Sequence, residues 1–209
     1  MKKFEKPVQS LEELRHTLGT PGRLAEHKVI SHLDSYCRQF IAHAPFAVVS
    51  TSDSAGHCDS SPRGDAPGFA YILDEKHLVL PERMGNKRAD SLQNILENPH
   101  IGLLFMIPGL EETLRINGQA VIIKDETFMN RLESQGHVPS VGIAVYVEAC
   151  FIHCAKALKR SHLWSPEKWP ELSDLPAPAK MLAAHSQLNE MDENQVRKSL
   201  HKSYTKRMY

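Results

Sequence analysis

The chain has 209 residues, 41% of them hydrophobic and 24% charged, and its 25 acidic residues balance its 25 basic ones. That length suffices for one domain with its own core, and a formal charge of zero gives no indication of nucleic acid or an anionic membrane as a partner. We expect a cytoplasmic protein, because no apolar region follows the basic N-terminal residues and no apolar run approaches the ~18 residues of a membrane span. The cysteines show no paired framework, which suits a reducing compartment.

The N-terminal residues predict two helices. Ser10 and Glu13 have the spacing of a capping box, which predicts a short helix that ends near Gly19. A second helix is predicted over residues 25–42, because apolar side chains recur there at helical spacing. These side chains belong to Val29, Ile30, Leu33, Tyr36 and Phe40. Residues 1–43 are therefore predicted to form an N-terminal helical segment.

A series of strands follows from residue 45 onward. The stretches FAVVSTS and HCDSSPR flank the turn DSAG, and GFAYIL and HLVLP flank the turn DEK, so two hairpins are predicted. The apolar run IGLLFMIP predicts a buried strand, and IAVYVEACFIH a last long one. The stretch ETLRINGQAVII alternates as a half-buried strand does, with Leu114 and Ile116 opposed to Thr113, Arg115 and Asn117.

The order of these elements indicates the fold class. Six or so strands with a single helix near the middle favour a mostly antiparallel barrel in the α+β class over a βαβ arrangement. Residues 125–134 have a helical pattern, and the chain beyond residue 154 becomes helical and polar, with a Trp- and Pro-rich break at residues 164–178. We expect a barrel domain over residues 44–165 and a helical C-terminal extension over residues 166–209.

The helix near the middle of the chain begins with an unusual pair of charges. Asn86 is a good N-cap, and apolar residues at helical spacing follow it, which predicts a helix over residues 86–97. Lys87 and Arg88 would then lie at the positive end of the helix dipole, where each cation costs roughly 0.3–1 kcal/mol. A phosphate bound at this helix start would make the pair favourable, whereas the alternative is that both side chains extend into water.

A second polar stretch, SSPRGD, indicates a partner for that helix start. Ser61 and Arg63 lie two residues apart on the predicted second strand and therefore share one face. Gly64 follows, and a glycine allows the backbone to approach a ligand closely. The alternative is an ordinary strand end at which Asp65 pairs locally with Arg63.

Taken in order, these stretches resemble the pyridoxamine 5′-phosphate oxidase-like, FMN-binding split-barrel family. The resemblance rests on a hairpin, then GNKRADSLQNILENPHIGLLF, then GLEETLRINGQA, and covers about residues 40–165. The chain is most similar to a branch with the motifs SPRGD, ETLRxNG and HCxKAxxRSxLW. The family has a Gly-Ser-Arg-Lys-like turn that holds the phosphate of FMN, so the resemblance implies a six-stranded antiparallel split barrel with flanking helices and FMN as its cofactor.

The resemblance also implies which residues bind the cofactor. The turn at residues 86–88 would hold the phosphate, the second strand would line the same pocket, and residues 80–83 would pass along the flavin. Related sites lie at a dimer interface, so residues near the end of the barrel would come from the second subunit. The implied cofactor-binding residues are Ser61, Arg63, Gly64, Pro81, Glu82, Arg83, Asn86, Lys87, Arg88, Thr113, Arg160 and Trp164.

These expectations define a function and its alternative. We expect an FMN-dependent oxidoreductase that acts as a homodimer on a small molecule, with catalytic residues unassigned. Oxidation of a vitamin B6 phosphate is not expected. The members of the family with that activity hold the substrate phosphate with an Arg-x-His type motif after a conserved Trp, and no such motif follows Trp164. The alternative is a carrier or sensor without turnover that binds flavin or haem, and a deazaflavin is a further candidate cofactor.

Two further stretches of the sequence have ordinary structural explanations. The run CFIHC invites a zinc site, but a strand would place Cys150 and Cys154 away from His153, and a structural site needs four ligands. No metal is therefore expected. The basic C-terminal run RKSLHKSYTKRMY is typical of a solvated helix or tail, since a nucleic-acid patch normally accompanies a net-basic domain.

Overall fold

The computed structural model describes residues 4–209. Its strands are β1 Phe46–Ser52, β2 Cys58–Gly64, β3 Tyr71–Ile72, β4 His77–Pro81, β5 His100–Met106, β6 Thr113–Ile123 and β7 Gly142–His153. Its helices are α1 Leu11–Leu18, α2 Arg23–His27, α3 Ser35–His43, α4 Asp90–Glu97, α5 Glu126–Arg131, α6 Lys156–Ser161, α7 Pro178–Ser186 and α8 Glu193–Lys206. A 3₁₀ turn, Pro166–Lys168, separates α6 from α7.

The strands form one antiparallel sheet in the order β2-β1-β5-β6-β7-β4-β3. The predicted α+β class with an antiparallel, split-barrel sheet is confirmed. The strand count is corrected from six to seven, because the two-residue β3 pairs with β4. Within residues 4–209 no ladder joins the two edge strands β2 and β3, so the sheet is not closed.

The alternation of side chains along the central strands decides which face is buried. In β5, Ile101, Leu103 and Phe105 are buried, whereas the residues between them are more exposed, so this strand is buried on one face rather than on both. In β6, Leu114 and Ile116 are buried and Arg115 is exposed, as predicted, but Thr113, which was predicted to lie on the opposite face from them, is also buried. These side chains meet those of β4 and β7 in one hydrophobic core.

The strands β6 and β7 are interrupted by a bulge between Asn117 and Gly118. A Cβ atom on Gly118 would lie 1.9 Å from the carbonyl oxygen of Tyr146. Only glycine fits this close approach, and a β-bulge bends the strand that carries it.

The predicted helix over residues 25–42 is wrong as one element. The structure has the separate helices α2 and α3, because Ile30 leaves the helical path and exchanges two backbone hydrogen bonds with Cys150 in β7, at 3.0 and 2.7 Å. A new helix then begins at Asp34, whose carboxylate accepts the Cys37 N–H at 2.8 Å. Tyr36, expected on the apolar stripe, is 77% exposed.

The start of α4 also differs from the prediction. Helix α4 begins at Asp90 instead of Asn86, and its cap is Ala89 in the left-handed region with φ 58°. Lys87 also has a positive φ, 63°, and the Asn86 side-chain oxygen accepts the Arg88 N–H at 3.0 Å, so Asn86 closes a turn before the helix. The first turn of α4 therefore carries an acidic residue, the favourable charge at that end of the dipole.

The first helix of the chain agrees with the sequence pattern. Ser10 accepts the Glu13 N–H at 3.1 Å, and α1 ends at Gly19 with φ 76°. Only this half of the predicted capping box forms, because the Glu13 carboxylate accepts the Gln9 N–H instead of that of Ser10. Among residues 4–209, no helix has the length and apolar character needed to cross a membrane.

Candidate functional site

A cavity of about 370 Å³ lies where β2 approaches the end of β4 and the loop before α4. One face of β2 lines it with Asp59, Ser61 and Arg63, which alternate with the exposed residues of that strand. The segment 81–85 forms a second wall, and Asn86 together with residues 88–91 forms a third. The cavity therefore sits in the split of the barrel.

Arg63 is the most enclosed cation of this cavity, with a side chain that is 14% exposed. Its Nη2 lies 3.0 Å from Oε2 of Glu82, and its Nη1 donates to the Ser61 hydroxyl and to the Pro62 carbonyl. The Nε atom of Arg63 is buried and has no hydrogen-bond partner among residues 4–209. The contact between Nη2 and Oε2 of Glu82 is an ion pair without the geometry of a hydrogen bond, so this Oε2 is also buried without a hydrogen-bond partner. A buried polar atom without a partner costs about 1–3 kcal/mol, so this pair is incompletely satisfied.

A second ion pair crosses the same split. Nε of Arg83 donates to Oδ2 of Asp65 at 2.7 Å, and the Asp65 side chain is 2% exposed. Asp65 also accepts from the Ala66 N–H at 2.8 Å, from the Ser134 hydroxyl at 3.1 Å and from the Tyr209 hydroxyl at 2.8 Å. Burial by itself raises the pKa of Asp65, but these hydrogen bonds and the Arg83 charge outweigh it and hold the pKa below its usual value.

The loop before α4 carries the exposed cations of the site. Nε of Arg88 lies 2.8 Å from Oδ2 of Asp90, and the Arg88 side chain is 72% exposed. The hydrogen bond to Asp90 and its charge raise the pKa of Arg88, so this residue remains a cation. An exposed pair of this kind exchanges easily with solvent, which leaves Arg88 free to turn toward an anion in the cavity.

The N-terminal end of α4 is attached to β2 by a hydrogen bond. The hydroxyl of Ser91, which is buried, donates to Oδ2 of Asp59 at 2.5 Å. The first N–H groups of α4 have no partner within the helix, as at any helix start, and this end of α4 lines the cavity. The start of α4 and the face of β2 that carries Arg63 thus line the same cavity.

Most of the predicted site residues meet in this cavity. Those that line it are Ser61, Arg63, Gly64, Pro81, Glu82, Arg83, Asn86 and Arg88. The alternative pairing of Asp65 with Arg63 is wrong, since Arg63 pairs with Glu82 and Asp65 with Arg83. Gly64 is closely packed as well, because a Cβ there would lie 3.3 Å from the Pro45 carbonyl oxygen.

Four predicted site residues lie outside this cavity. Lys87 lines a neighbouring cavity, described next. Thr113 is buried in β6 opposite His153 in β7, and Trp164 donates its indole N–H to the Leu110 carbonyl at 2.9 Å. Arg160 lies in α6. The assignment of Thr113, Arg160 and Trp164 to a site shared with a second subunit stays a prediction.

The neighbouring cavity, of about 420 Å³, is the feature that the sequence did not indicate. It shares the segment 82–86 and Ala89 with the first cavity, and is otherwise lined mainly by apolar and aromatic side chains. These include Leu92, His137, Pro139, Val141 and Tyr209. No local pattern marks His137 or Tyr209, since what brings them here is tertiary packing.

The run CFIHC is divided by the fold. Cys150 is buried in β7 and donates to Cys37 of α3, with 3.3 Å between the two sulfur atoms, whereas Cys154 follows the strand and is exposed. The hydrogen bond to Cys37 and burial raise the pKa of the Cys150 thiol, which keeps it protonated. In the part of the chain that the structure describes, no three His, Cys, Asp or Glu side chains are grouped as metal ligands.

Comparison with known proteins shows a family to which the chain is similar. The family model described as pyridoxamine 5′-phosphate oxidase matches residues 33–154. No curated protein matches the chain.

Several solved structures are similar to a little over half of this chain. HupZ of Group A Streptococcus is 20% identical with a TM-score of 0.47, over 57% of this chain and 92% of HupZ. General Stress Protein 26 of Bacillus anthracis is 16% identical with a TM-score of 0.42, over 55% and 88% of the two chains. The heme storage protein HutZ of Vibrio cholerae is 10% identical with a TM-score of 0.41, over 58% and 93%.

Proposed function

The chain belongs to the pyridoxamine 5′-phosphate oxidase family, and from that premise we propose that it is an FMN-binding oxidoreductase that acts on a small molecule. The observation that carries the proposal is the buried, unpartnered Nε of Arg63 in a cavity that also contains Arg88 and the start of α4. A phosphate accepts hydrogen bonds from both kinds of group.

The residues of the cavity fit a phosphate monoester in three respects. Arg63 is held in place by Glu82 and Ser61 yet retains an unused buried donor. Arg88 is paired only with the exposed Asp90 and can exchange that partner for a ligand. The N–H groups at the start of α4 add neutral donors and the positive end of a helix dipole.

The acidic residues of the cavity oppose an anion. Within residues 4–209, only Oδ2 of Asp59 is engaged, by the neutral Ser91 hydroxyl, whereas Asp65 lies outside this cavity and is bonded to Arg83 and Tyr209. Glu82 remains beside Arg63 and repels an anion from its own side of the cavity. Asp59 and Asp90 also line the cavity at the start of α4, so Arg63, Arg88 and the N–H groups of α4 must together outweigh the repulsion of these carboxylates.

When bound, FMN would supply hydride and single-electron transfer chemistry. The chain's own contribution is then to bind and orient the cofactor. Arg63 and Arg88 hold the phosphate in the first cavity, and the segment 82–85 also lines the neighbouring apolar cavity that Tyr209 completes. We propose that the substrate is a small molecule admitted to the open side of the ring, and that two copies of the chain form a homodimer with Thr113, Arg160 and Trp164 near the shared sites.

The first experiment identifies the cofactor. An absorbance spectrum of the freshly purified protein, followed by mass spectrometry of the molecule released on denaturation, should show flavin bands near ~450 nm and released FMN. A Soret band would replace this proposal by a haem carrier, and a released deazaflavin would replace FMN. A colourless protein that does not take up FMN would overturn the proposal. Light scattering at micromolar concentration checks the dimer, and a monomeric mass would contradict it.

The second experiment tests the phosphate assignment. FMN and riboflavin differ only by the phosphate, so wild-type protein should bind FMN more tightly, and Arg63→Ala or Arg88→Ala should weaken FMN about 10- to 100-fold while leaving riboflavin nearly unchanged. The matched control is Arg197→Ala, which removes an exposed arginine paired with Glu193 on α8. Equal loss of both ligands, or no loss of FMN, would contradict a phosphate at these arginines.

A further inference from the structure

The C-terminal end of the chain reaches the wall of the site. Tyr209 follows α8, outside the residues 33–154 that match the family, yet its hydroxyl donates to Oδ1 of Asp65 at 2.8 Å. Its ring stacks on His137 with 6.2 Å between ring centroids and 27° between ring planes. The Arg83 guanidinium lies 6.0 Å from the centroid of the same ring.

Tyr209 contacts three separate elements of the barrel through these interactions. Asp65 follows β2, Arg83 follows β4, and His137 lies in the loop between α5 and β7. A hydrogen bond to an ionised, buried carboxylate is among the stronger neutral-to-charged contacts in a protein. The Tyr209 ring is therefore held against the site by three contacts.

The cavity beside Tyr209 has the chemistry of a ring-binding site. It adjoins the cavity that Arg63 lines, because the segment 82–86 contributes to the walls of both. Its remaining wall combines the apolar side chains of Leu92, Pro139 and Val141 with the aromatic rings of His137 and Tyr209. Planar ligands are commonly held by such a mixture of apolar and aromatic groups.

We propose that Tyr209 is a ligand-binding residue, against which the planar ring of the phosphate-bearing ligand packs. The ligand spans both cavities, with its phosphate at Arg63 and the start of α4, and its ring in the apolar cavity that Tyr209 closes. This inference rests on the proposed function and deepens it, since it makes the C-terminal extension part of the binding site. Asp65 acts as a positioning residue, because it holds the Tyr209 hydroxyl and the Arg83 guanidinium at once.

The test separates contacts to the ring from contacts to the phosphate. Tyr209→Ala should weaken FMN and riboflavin by the same factor, about threefold to tenfold, because both ligands carry the ring. Tyr209→Phe should retain most of the affinity for both, because it loses the hydroxyl but keeps the aromatic face. Both affinities are measured by titration of the full-length protein, with any purification tag placed before Met1.

The control is Tyr204→Ala, which removes a 62% exposed tyrosine from α8, the helix that precedes Tyr209, and should change neither affinity. Unchanged affinity of Tyr209→Ala for both flavins would overturn the inference while leaving the proposed function intact. A loss confined to FMN would also overturn it, because Tyr209 would then act only through the charges near the phosphate. If the wild-type protein binds neither flavin, the inference and the proposed function fail together. If Tyr209→Ala does not fold, Tyr209→Leu, which keeps an apolar side chain but removes the aromatic ring, is judged by the same two criteria.

Discussion

The barrel and the two helical extensions of this chain are built very differently. The barrel, residues 44–153, together with α3, contains nearly all of the buried apolar residues. Helices α1, α2 and α6 bury no residue, and α7 and α8 bury only Ala179 and Val196. The free energy of unfolding therefore resides in the barrel, and the extensions are expected to open locally at little cost.

The site lies at the border between these two regions. The cavity that Arg63 lines belongs entirely to the barrel, whereas the neighbouring apolar cavity is completed by Tyr209 from the C-terminal extension. The difference shows how a stable scaffold and a weakly attached segment share one site: the barrel fixes the anion contacts, and the extension adds a wall that can be displaced.

The sharpest test of the contrast compares one glycine from each region. Gly118→Ala should destabilise the protein by about 4 kcal/mol or more, because the new Cβ would lie 1.9 Å from the Tyr146 carbonyl oxygen inside the β6–β7 ladder. Gly22→Ala should change the free energy of unfolding by no more than about 0.5 kcal/mol, since Gly22 has φ −73° and open space around its Cα. Urea titration at equilibrium measures both values.

Similar losses from the two glycine variants would mean that the N-terminal extension contributes to the cooperative core after all. A folded Gly118→Ala protein of unchanged stability would show that β6 and β7 can separate locally at the bulge. Either result would remove the basis for treating the barrel and the extensions as regions of unequal stability.

A smaller effect is expected from truncating a leucine in each region. Leu114→Ala should cost about 3 kcal/mol, since Leu114 is fully buried in the core and its removal leaves a cavity. Leu24→Ala on α2 should cost under about 0.5 kcal/mol, because that side chain is 83% exposed. The same urea titrations provide the comparison, and a costly Leu24→Ala would indicate that α2 is covered in solution, for example in a dimer.

The fold could be predicted from the sequence where the pattern is local. Alternation along β1, β6 and β7 reports directly which face is buried, so these strands were identified with nearly their observed bounds. The helix over residues 25–42 failed because a helical spacing of apolar residues is equally compatible with Ile30 bonded to β7. The side chain of Asp34, a helix cap in the middle of that pattern, was the available signal.

The site could be predicted only in part, for the same reason. Ser61 and Arg63 share a strand face, and Asn86 to Arg88 form a basic turn, so both were recognisable as local features. The left-handed Ala89 that delays the start of α4 has no sequence signal, since alanine rarely adopts that conformation. Contacts across the fold, such as Tyr209 with Asp65, depend on packing between distant residues.

The smallest expected effect concerns the contact that joins the two regions. Asp65→Asn should destabilise the protein by about 2 kcal/mol at pH 7, because Arg83 and Tyr209 lose a charged acceptor. The folded-state pKa of Asp65 lies below its ordinary value of 3.8, so its stabilising contribution is complete above that pH and is lost as the pH falls through the folded-state pKa. The difference between wild type and variant should therefore shrink in acid.

Urea titrations at pH 7 and near pH 3 measure this difference, with Asp174→Asn, at an exposed aspartate, as the control.

Hydrogen exchange then shows which region of the protein is destabilised by Asp65→Asn. If Asp65 holds the extension to the barrel, amides of α8 in Asp65→Asn exchange faster, whereas those of β6 change only as the global stability does. Unaltered α8 exchange would show that the helix pair α7–α8 is held to the barrel by other contacts, and that Tyr209 is bound at the site without anchoring its segment. A difference that persists in acid would instead assign the loss to the geometry of the asparagine and not to the charge.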